Sequence, residues 1–393
     1  MSKTLLVLAA STYQVPVIRT AKALGYRVVT TDNVPSNPGH AIADASHAID
    51  TTDQSAVLAL AERERVDGVI APGTDVAVET AAHVAERLGL PGVSLQAARV
   101  LTRKRAFREL LQRAGLPCPR VLDADARDDR LFAGSRWLVK PNRSSGSKGV
   151  FIVASRAELD ARIGESRRFS IDGAALVEEL IEGTQHTCEA LLHDGRIALA
   201  LVTDRDTVAP PHTATKGHRV PSRLSDAPQR GAIDAIERLA RLTELDGGPL
   251  DCDFVVGDDG RVVVIEMTPR LGGNSLSRLF EAALDVDLVA AAVRHACGDP
   301  VEIPAQRAPK PAAVAILGCE RAGRVRWNAE EERRLTRERW LRALLFDVAQ
   351  GDAVEAFVNG RHRVGEALVV ATTRGEVDAR LSELSERLDV RAD

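Results

Sequence analysis

Residues 260–274 read Gly-Arg-Val-Val-Val-Ile-Glu-Met-Thr-Pro-Arg-Leu-Gly-Gly-Asn. Val262 to Ile265 form a β-branched run that is typical of a strand inside a sheet. The strand ends in an acid, Glu266, and a basic side chain, Arg270, follows four residues later. A buried strand has no structural use for a carboxylate at its end. Glu266 therefore predicts a bound cation, and Arg270 predicts an anionic group beside it.

A second acid precedes this strand. The run Cys252 to Val256 leads into the turn Gly257-Asp258-Asp259-Gly260, which predicts a hairpin that brings Asp253 beside Glu266. Neighbouring carboxylates repel each other unless they share a cation or a proton, and oxygen-only ligands favour Mg²⁺ over zinc. The alternative is a surface hairpin with solvated acids.

Composition limits the classes of function. The 393 residues, 45% hydrophobic and 27% charged, are enough for two or three domains with a sizeable core. A net charge of −4 and 3% aromatic residues argue against a nucleic-acid partner. The five cysteines are scattered and predict free thiols in a reducing cytosol. No apolar run reaches bilayer length, so we expect a cytoplasmic protein without a membrane partner.

The first hundred residues alternate β-rich runs with helical patterns, which predicts a small doubly wound α/β domain. The predicted strands are Leu5–Ala9, Arg27–Thr31, His47–Ile49 and Gly68–Ala71, and the predicted helices are Val15–Leu24, Ser55–Arg65 and Val76–Leu88. The first strand-to-helix turn lacks Gly-x-Gly-x-x-Gly, so a dinucleotide cofactor is not expected. Ligands of such sheets bind beyond the carboxyl ends of the strands, where Tyr13, Gln14, Asp32 and the turn Pro72–Asp75 could face a substrate. Turn chemistry alone explains these residues equally well.

The segment Arg136 to Val153 predicts a phosphate-binding flap. Two strands flank a loop rich in serine and glycine, and Lys140 lies where the first strand ends. Backbone N–H groups and hydroxyls of small residues can close over phosphate oxygens, while an ammonium at the base neutralises charge. A strand, not a helix, follows Gly149, so the loop is not a Walker A motif. A Gly/Ser hairpin alone is a weak signal.

Further along, Ala175 to Leu192 predicts a strand, a short linker and a second strand. Backbone groups of Glu179, Leu180 and Ile181 can match an adenine edge, and polar groups after Gly183 can reach a ribose.

Two later segments predict anion contacts. Residues 203–226 show no periodicity and predict a long functional loop, in which Lys216 and His218 suit a γ-phosphate or an acyl phosphate; a solvated basic loop is the alternative. After Arg270, Gly273 and Asn274 lie where a helix toward Ala283 begins, and free N–H groups there attract a substrate carboxylate.

The C-terminal ninety residues predict a charged helix, an antiparallel sheet and a last helix, serving as lid support or as a homodimer surface. The predicted elements are the helix Ala329–Leu345, the strands Ala353–Val358, His362–Val364 and Ala367–Ala371, and the helix Glu376–Leu388.

Five motifs in this order resemble the ATP-grasp superfamily, in its carboxylate–amine ligase and carbamoyl-phosphate-synthase-like branch. They are Lys104, Gly-Leu-Pro at 115–117, Leu-Val-Lys-Pro at 138–141 with the Ser/Gly loop, Glu-Glu-Leu-Ile-Glu-Gly at 178–183, and Ile-Glu-Met-Thr-Pro-Arg at 265–270. The resemblance implies an α/β ATP-grasp fold with an N-terminal Rossmann-like pre-ATP-grasp domain (1–97), an ATP-grasp domain (98–303) and a small C-terminal α+β domain (304–393). The nucleotide flap falls near 136–190, and the metal and phosphate site near 250–275.

The resemblance also implies roles for individual residues. ATP contacts would come from Lys104, Lys140, Ser144, Ser145, Gly146, Ser147, Gly149, Glu178, Glu179, Leu180, Ile181, and Gln185 or His186. Asp253 and Glu266 would hold Mg²⁺, while Thr268 stands where the family usually has a ligating Asn. Arg270 would be catalytic. Beside what the resemblance implies, the loop and turn positions described above make Lys216 a second catalytic candidate and predict substrate contacts from Tyr13, Asp75, His218, Gly273 and Asn274.

The expected activity is an ADP-forming ligation of a carboxylic acid to an amine, through an acyl phosphate, with ATP and Mg²⁺ as cofactors. The substrates would be small and amino-acid-like. Two alternatives are a carboxylase that activates bicarbonate and a nucleotide-binding regulator without catalytic activity.

Overall fold

The computed structural model describes residues 2–123 and 132–393. Met1 and residues 124–131, which fall within the predicted domains 1–97 and 98–303, lie outside the described residues. No helix in the described part of the chain combines the length and the apolar character needed to cross a bilayer.

The N-terminal part is a parallel sheet with helices. Its elements are β1 (Thr4–Leu8), α1 (Val15–Ala23), β2 (Arg27–Thr31), α2 (Pro38–Ile42), β3 (Ala45–His47), α3 (Gln54–Glu64), β4 (Gly68–Ile70), a 3-10 turn (Asp75–Ala77) and α4 (Val78–Leu88). The strand order β3-β2-β1-β4, with all pairs parallel, confirms the predicted Rossmann-like domain. The third strand starts two residues before its predicted position. The short helix α2 is not evident from sequence because Pro-Gly is typical of a turn.

Two helices, α5 (Leu95–Thr102) and α6 (Lys104–Arg113), lead into a small antiparallel sheet that carries the flap. Its elements are β5 (Val121–Leu122), β6 (Trp137–Pro141), β7 (Phe151–Val153), α7 (Arg156–Arg168) and β8 (Ala175–Glu179). The strand order is β5-β8-β6-β7. The loop between β6 and β7 lies where the sequence predicts the flap.

An eight-stranded antiparallel sheet forms the centre of the molecule. The remaining elements are β9 (Thr184–His193), β10 (Arg196–Thr207), β11 (Thr215–Val220), α8 (Asp226–Leu242), β12 (Gly248–Val256), β13 (Val262–Thr268), α9 (Leu276–Leu284), α10 (Leu288–Ala296), β14 (Ala312–Leu317), β15 (Gly323–Arg326), α11 (Ala329–Leu335), β16 (Leu341–Phe346), β17 (Ala353–Val354), a 3-10 turn (Gly360–His362), β18 (Gly365–Val370), α12 (Arg374–Leu388) and β19 (Arg391–Ala392). The large sheet runs β13-β12-β9-β10-β11-β14-β18-β16, and a small sheet runs β17-β15-β19. Since β14 pairs with β11, the large sheet continues across residue 304, and the predicted domain boundaries stay predictions.

Residues 203–226 differ from their prediction. Instead of one long loop they contain the end of β10 and the whole of β11, which pair with each other, and two shorter loops at 208–214 and 221–225. Their apolar periodicity is missing because both faces are polar. Arg205 and His218 line a cavity beside the hairpin β12–β13, while Asp204 and Arg219 form ion pairs with α12.

In the C-terminal part, the predicted helix Ala329–Leu345 ends at Leu335, and its last residues form β16, paired with β18. Apolar residues three and four apart fit a helix, but strand pairing overrides that local preference. The predicted strand His362–Val364 is also wrong, because a 3-10 turn ends at His362.

Hydrophobic packing joins these layers. One cluster contains Leu5, Ile18, Phe280 and Val314, from β1, α1, α9 and β14. A second cluster joins Phe107 of α6 to the hairpin β12–β13. Buried apolar surface therefore fixes α6 and its first residue, Lys104, against the acid-bearing hairpin.

Candidate active site

The hairpin β12–β13 places the two predicted acids opposite each other. Asp253 pairs with Glu266, as predicted, whereas the next pair is Phe254 with Val264. Strand β13 therefore carries one extra residue, Ile265, which is a β-bulge. An uninterrupted ladder would set Ile265 opposite Asp253, since a one-residue shift exchanges the faces of a strand. The bulge thus creates the acid pair.

A cleft between the flap sheet and the large sheet, here called the flap cleft, collects most of the predicted nucleotide residues. Those that line it are Lys104, Lys140, Ser144, Ser145, Gly146, Ser147, Glu178, Glu179, Leu180, Ile181, Gln185, Asp253 and Glu266. Side chains of Leu138, Phe254 and Val255 add apolar surface to the wall. Apolar surface together with convergent polar groups is the usual form of a ligand site.

A second space of about 610 Å³, here called the adjoining cavity, holds all five predicted substrate residues: Tyr13, Asp75, His218, Gly273 and Asn274. Its volume is that of a small-molecule site. Asp253, Glu266 and flap residues Ser145 to Lys148 line both spaces. The acid pair therefore lies at the junction of the flap cleft and the adjoining cavity.

The predicted phosphate lysine is part of a buried charge cluster. Lys140 on β6 pairs with Glu178 on β8, and Arg108 of α6 donates two hydrogen bonds to the same carboxylate, at 2.8 and 3.1 Å. Burial lowers the pKa of Lys140 to about 8, and the nearby Arg108 and Lys104 add to this against the attraction of Glu178. Burial alone would raise the pKa of Glu178, but Arg108 and Lys140 outweigh it and hold that pKa at about 2. Glu178 is thus engaged with cations as well as lining the cleft.

The acid pair is electrostatically crowded. Burial raises the pKa of Asp253 to about 7, and the carboxylates of Glu266 and Asp251 add to this against the attraction of Arg205. Thr187 and Arg205 donate hydrogen bonds to Asp253, at 2.5 and 2.7 Å. The partial burial of Glu266 would raise its pKa, but nearby cations, Lys104 first, outweigh this effect and lower the pKa. The Lys104 ammonium lies 4.0 Å from the Glu266 carboxylate.

Arg270 lines the adjoining cavity and lies between two carboxylates. Its Nε donates to Asp75 at 2.8 Å, and its Nη1 donates to Asp251. The side chain is 9% exposed. Against the effect of burial, Asp75 and Asp251 raise the pKa of Arg270. A ligand anion would have to share this guanidinium with the two carboxylates.

The donor set fits a hard cation. Asp251, Asp253 and Glu266 supply only oxygens, and the buried Oδ1 of Asp251 has no hydrogen-bond partner among the described residues. Within residues 2–123 and 132–393, no three acidic, histidine or cysteine side chains are already gathered as a metal site. Mg²⁺ is commonly held by one or two carboxylates together with substrate phosphates, and the opposed pair suits that mode.

Four predicted residues lie away from both spaces. Lys216 is exposed on β11, and Thr268 is buried opposite Asp251. Gly149 lies against Phe169 behind the flap. His186 is turned away from the cleft and stacks on Phe254, while Gln185 faces the cleft. The roles of these residues remain untested predictions.

His218, by contrast, is buried on the wall of the adjoining cavity. Burial, with Arg205 nearby, lowers its pKa to about 3, so the imidazole is neutral. Its Nδ1 lies 3.0 Å from the Thr203 hydroxyl. A neutral imidazole is a hydrogen-bonding group for a substrate and not a fixed charge.

Sequence reasoning missed three charged residues. Asp251 could have been found, because it stands two positions before Asp253 and therefore on the same face of the strand. Arg205 lies in the segment that looks like a loop, and Arg108 lies in a basic helix that resembles a solvated face. Nothing local distinguishes them, since their partners Asp253 and Glu178 are distant in sequence.

Replacing Gly183 by Ala should weaken nucleotide binding. This glycine ends the predicted adenine-binding segment with φ +145°, and an added Cβ would lie 2.2 Å from the carbonyl oxygen of Val256. Backbone cannot yield like a side chain, so we expect a loss of about 1–3 kcal/mol in the free energy of unfolding and a displaced linker. Urea unfolding and titration with Mg·ADP would measure both. Gly164→Ala, in open space on α7, should be neutral or slightly stabilising; an equal effect of the two variants would contradict the prediction.

Comparisons with known proteins agree with this geometry. Residues 18–92 match the ATP-grasp N-terminal domain, and residues 135–278 match the ATP-grasp domain. The formate-dependent phosphoribosylglycinamide formyltransferase of Burkholderia pseudomallei strain 668 is 30% identical over 327 residues, 78% of this chain and 78% of that protein. The carbamoyl phosphate synthase large chain of Thermus thermophilus is 28% identical over 278 residues, but this chain spans only 27% of it.

Among solved structures, an L-amino acid ligase from Bacillus licheniformis superposes with a TM-score of 0.83, covering 99% of this chain and 98% of that one. At 18% identity this similarity speaks for the fold alone. A small sheet and a larger antiparallel sheet that enclose a charged cleft define the ATP-grasp class of α/β proteins. The chain belongs to the ATP-grasp family, whose members are ATP-dependent ligases that use ATP and Mg²⁺.

Proposed function

We propose that the protein is a carboxylate–amine ligase that forms an amide or peptide bond through an acyl phosphate and releases ADP and phosphate. The observation that carries this proposal is the position of Asp253 and Glu266, which line both the flap cleft and the adjoining cavity. A nucleotide in the flap cleft would present its terminal phosphate at this junction. An acid in the adjoining cavity would approach the same point, which is what phosphoryl transfer requires.

The residues that line the flap cleft would have different roles in binding the nucleotide and its metal ion. Lys104 and Lys140 would neutralise nucleotide phosphates, the flap from Ser144 to Ser147 would cover them, and Glu179 to Ile181 would meet the adenine. Asp253 and Glu266 would hold Mg²⁺, which supplies charge neutralisation to the transferring phosphoryl group. Flap closure would exclude water from an intermediate that hydrolyses easily.

The adjoining cavity suits a small acid and an amine. Its wall offers the Tyr13 hydroxyl, the Asn274 amide and the neutral His218 imidazole as hydrogen-bonding groups, and Asp75 and Arg270 as charged groups. Mixed charge of this kind fits amino-acid-like substrates, which carry an ammonium and a carboxylate together.

A phosphate-release screen tests the proposal. The purified full-length chain, with ATP and Mg²⁺, is supplied with pairs from a broad panel of acids and amines, and the nucleotide product is identified by chromatography. We expect ADP and phosphate to form together only when both an acid and an amine are present. Turnover with bicarbonate and an amine alone would indicate a carboxylase, AMP as product would reject the acyl-phosphate route, and nucleotide binding without turnover would indicate a regulator.

Arg205, and not Lys216, should be the more important cation of the strands β10 and β11. Arg205 lines both spaces and bonds to Asp253, whereas Lys216 is exposed and lines neither. We expect Arg205→Met to lower phosphate release by about 10- to 100-fold, because Asp253 loses the contact that orients it. Lys216→Met serves as the comparison and should stay within about twofold. The opposite ranking of the two variants would support the role predicted for Lys216 from sequence.

A further inference from the structure

Arg108 is a fully buried cation that touches both halves of the flap cleft and lines neither space. It extends from α6 with 1% of its surface exposed. Its Nε and Nη2 donate to the Glu178 carboxylate, and its Nη1 donates to the carbonyl oxygen of Ile265 at 2.8 Å. The guanidinium fork therefore joins β8 of the flap sheet to β13 of the large sheet.

The second acceptor of the Arg108 guanidinium is the carbonyl oxygen of Ile265, the bulged residue of β13. A bulge removes one residue from the ladder, so its carbonyl needs another donor when it is buried. Arg108 supplies that donor. Because the bulge sets Glu266 opposite Asp253, the hydrogen bond to Ile265 stabilises the register on which the acid pair depends.

The first acceptor of the Arg108 guanidinium, Glu178, orients Lys140, which is predicted to contact phosphate. Glu178 lies between Arg108 and Lys140, and its carboxylate is shared by the two cations. Lys140 is thereby held on the side of Glu178 that faces the flap cleft. One side chain thus supports Lys140 through a carboxylate and Glu266 through a backbone carbonyl.

We propose that Arg108 is a positioning residue that couples the nucleotide-binding half of the site, through Glu178 and Lys140, to the cation-binding half, through the Ile265 bulge and Glu266. The inference rests on the proposed function, since it assumes that the flap cleft takes a nucleotide with its metal. Arg108 itself touches neither ligand. A lysine cannot replace it, because three fixed N–H directions are used at once.

The test uses the full-length chain and measures binding of ADP by calorimetry, with and without Mg²⁺. Three variants are compared with the wild type: Arg108→Met, Arg108→Lys and the control Arg103→Met. Arg103 neighbours Lys104 and also makes a two-bond contact, at 3.0 and 2.8 Å, to a buried carboxylate, that of Glu79, although the Arg103 side chain is 37% exposed. Arg103 lines neither space, so the control removes a paired arginine beside Lys104 without touching the site.

We expect both Arg108 variants to bind Mg·ADP about 10- to 100-fold more weakly, the range typical of losing a group that supports a ligand. The gain in ADP affinity on adding Mg²⁺ should also shrink in both, because the bulge carbonyl loses its donor. The control should bind Mg·ADP within about twofold of the wild type. Arg108→Lys keeps the buried charge and remains informative if Arg108→Met fails to fold.

A pH profile separates the effect of the Arg108 charge from the effect of its hydrogen-bond geometry. The charged and titratable groups around Lys140 are Glu178, Arg108, Lys104, Glu266 and Cys118. Wild-type affinity for ADP should fall as pH rises through about 8, where Lys140 loses its proton. Removing the positive charge of Arg108 should move this fall to higher pH, whereas Arg108→Lys should leave it in place. Because Arg108→Lys keeps the charge, positioning predicts weaker ADP binding in that variant with the pH of the fall unchanged.

The outcomes are distinct for the two proposals. If the wild type binds Mg·ADP but Arg108→Lys binds it equally well, with an unchanged Mg²⁺ gain, the coupling role is overturned and the proposed function stands. The same holds if Arg103→Met loses as much affinity as Arg108→Met. If the wild type does not bind Mg·ADP at all, both proposals fall.

Discussion

Replacing Glu266 by Gln is expected to reduce phosphate release by about a hundredfold or more, with the fold intact. The amide keeps the size of the side chain but removes one of the two facing carboxylate charges that would hold the cation. Negative charge develops beside that cation during phosphoryl transfer, so the loss should slow the reaction. The stability cost should be small, because the nearest cation, Lys104, is 4.0 Å away and the side chain is 37% exposed. Phosphate release with a productive acid and amine, beside a thermal melt, would measure both effects.

The matched control for this variant is Asp258→Asn in the turn of the same hairpin, where the side chain is exposed. It should leave turnover unchanged. A second readout needs no substrate: the dependence of ADP affinity on Mg²⁺ should be lost in Glu266→Gln only. Near-normal turnover with an unaltered Mg²⁺ dependence would show that the assignment of the acid pair as the cation site is wrong.

Replacing Glu178 by Gln is expected to lower the free energy of unfolding at neutral pH by about 3–5 kcal/mol. The variant leaves Arg108 and Lys140 buried together without the carboxylate that compensates both charges. Removing one partner of a buried charged group is costly because the desolvation of the other charge remains. Chemical unfolding monitored by circular dichroism would measure the loss. Glu182→Gln, which removes an exposed pair with Arg136, should cost less than about 1 kcal/mol.

The difference in the free energy of unfolding between the wild type and Glu178→Gln should depend on pH. The pKa of Glu178 is lowered from 4.5 to about 2 in the folded protein, so the unfolded chain binds the proton more readily. The stabilisation is therefore complete above pH 4.5 and is lost as pH falls toward 2. The gap between wild type and Glu178→Gln should narrow over that window. A gap that stayed constant between pH 7 and pH 3 would contradict the contribution assigned to the carboxylate.

The hairpin β12–β13 shows what the local sequence predicts and what it does not. A β-branched run, a Gly-Asp-Asp-Gly turn and an acid on each arm predict that Asp253 and Glu266 meet, and they do. The bulge at Ile265 that makes this register possible has no local signal, because its hydrogen-bond donor, Arg108, comes from 157 residues earlier in the chain. The local sequence pattern thus predicts that Asp253 and Glu266 are paired, and the distant Arg108 stabilises the bulge on which this pairing depends.

The C-terminal part shows the opposite case. The segment Leu341 to Phe346 has helical spacing yet forms a strand, and the basic segment around Arg205 lacks the periodicity of the strand that it forms. In both, the pairing partner decides the conformation, because hydrogen bonds to a neighbouring strand outweigh a weak local preference. Sequence windows do not contain that partner.

By itself, the sequence determined the fold class, the order of the motifs and the residue types of the cleft, because strand and flap patterns are short-range properties of the chain. Tertiary structure alone decided which charges are buried and with whom. Arg270 lies between Asp75 and Asp251, Glu178 between Arg108 and Lys140, and Lys216 outside the site. The physical reason is that the free energy of a charge depends on its burial and its partners, and both are set by contacts between residues far apart in the chain.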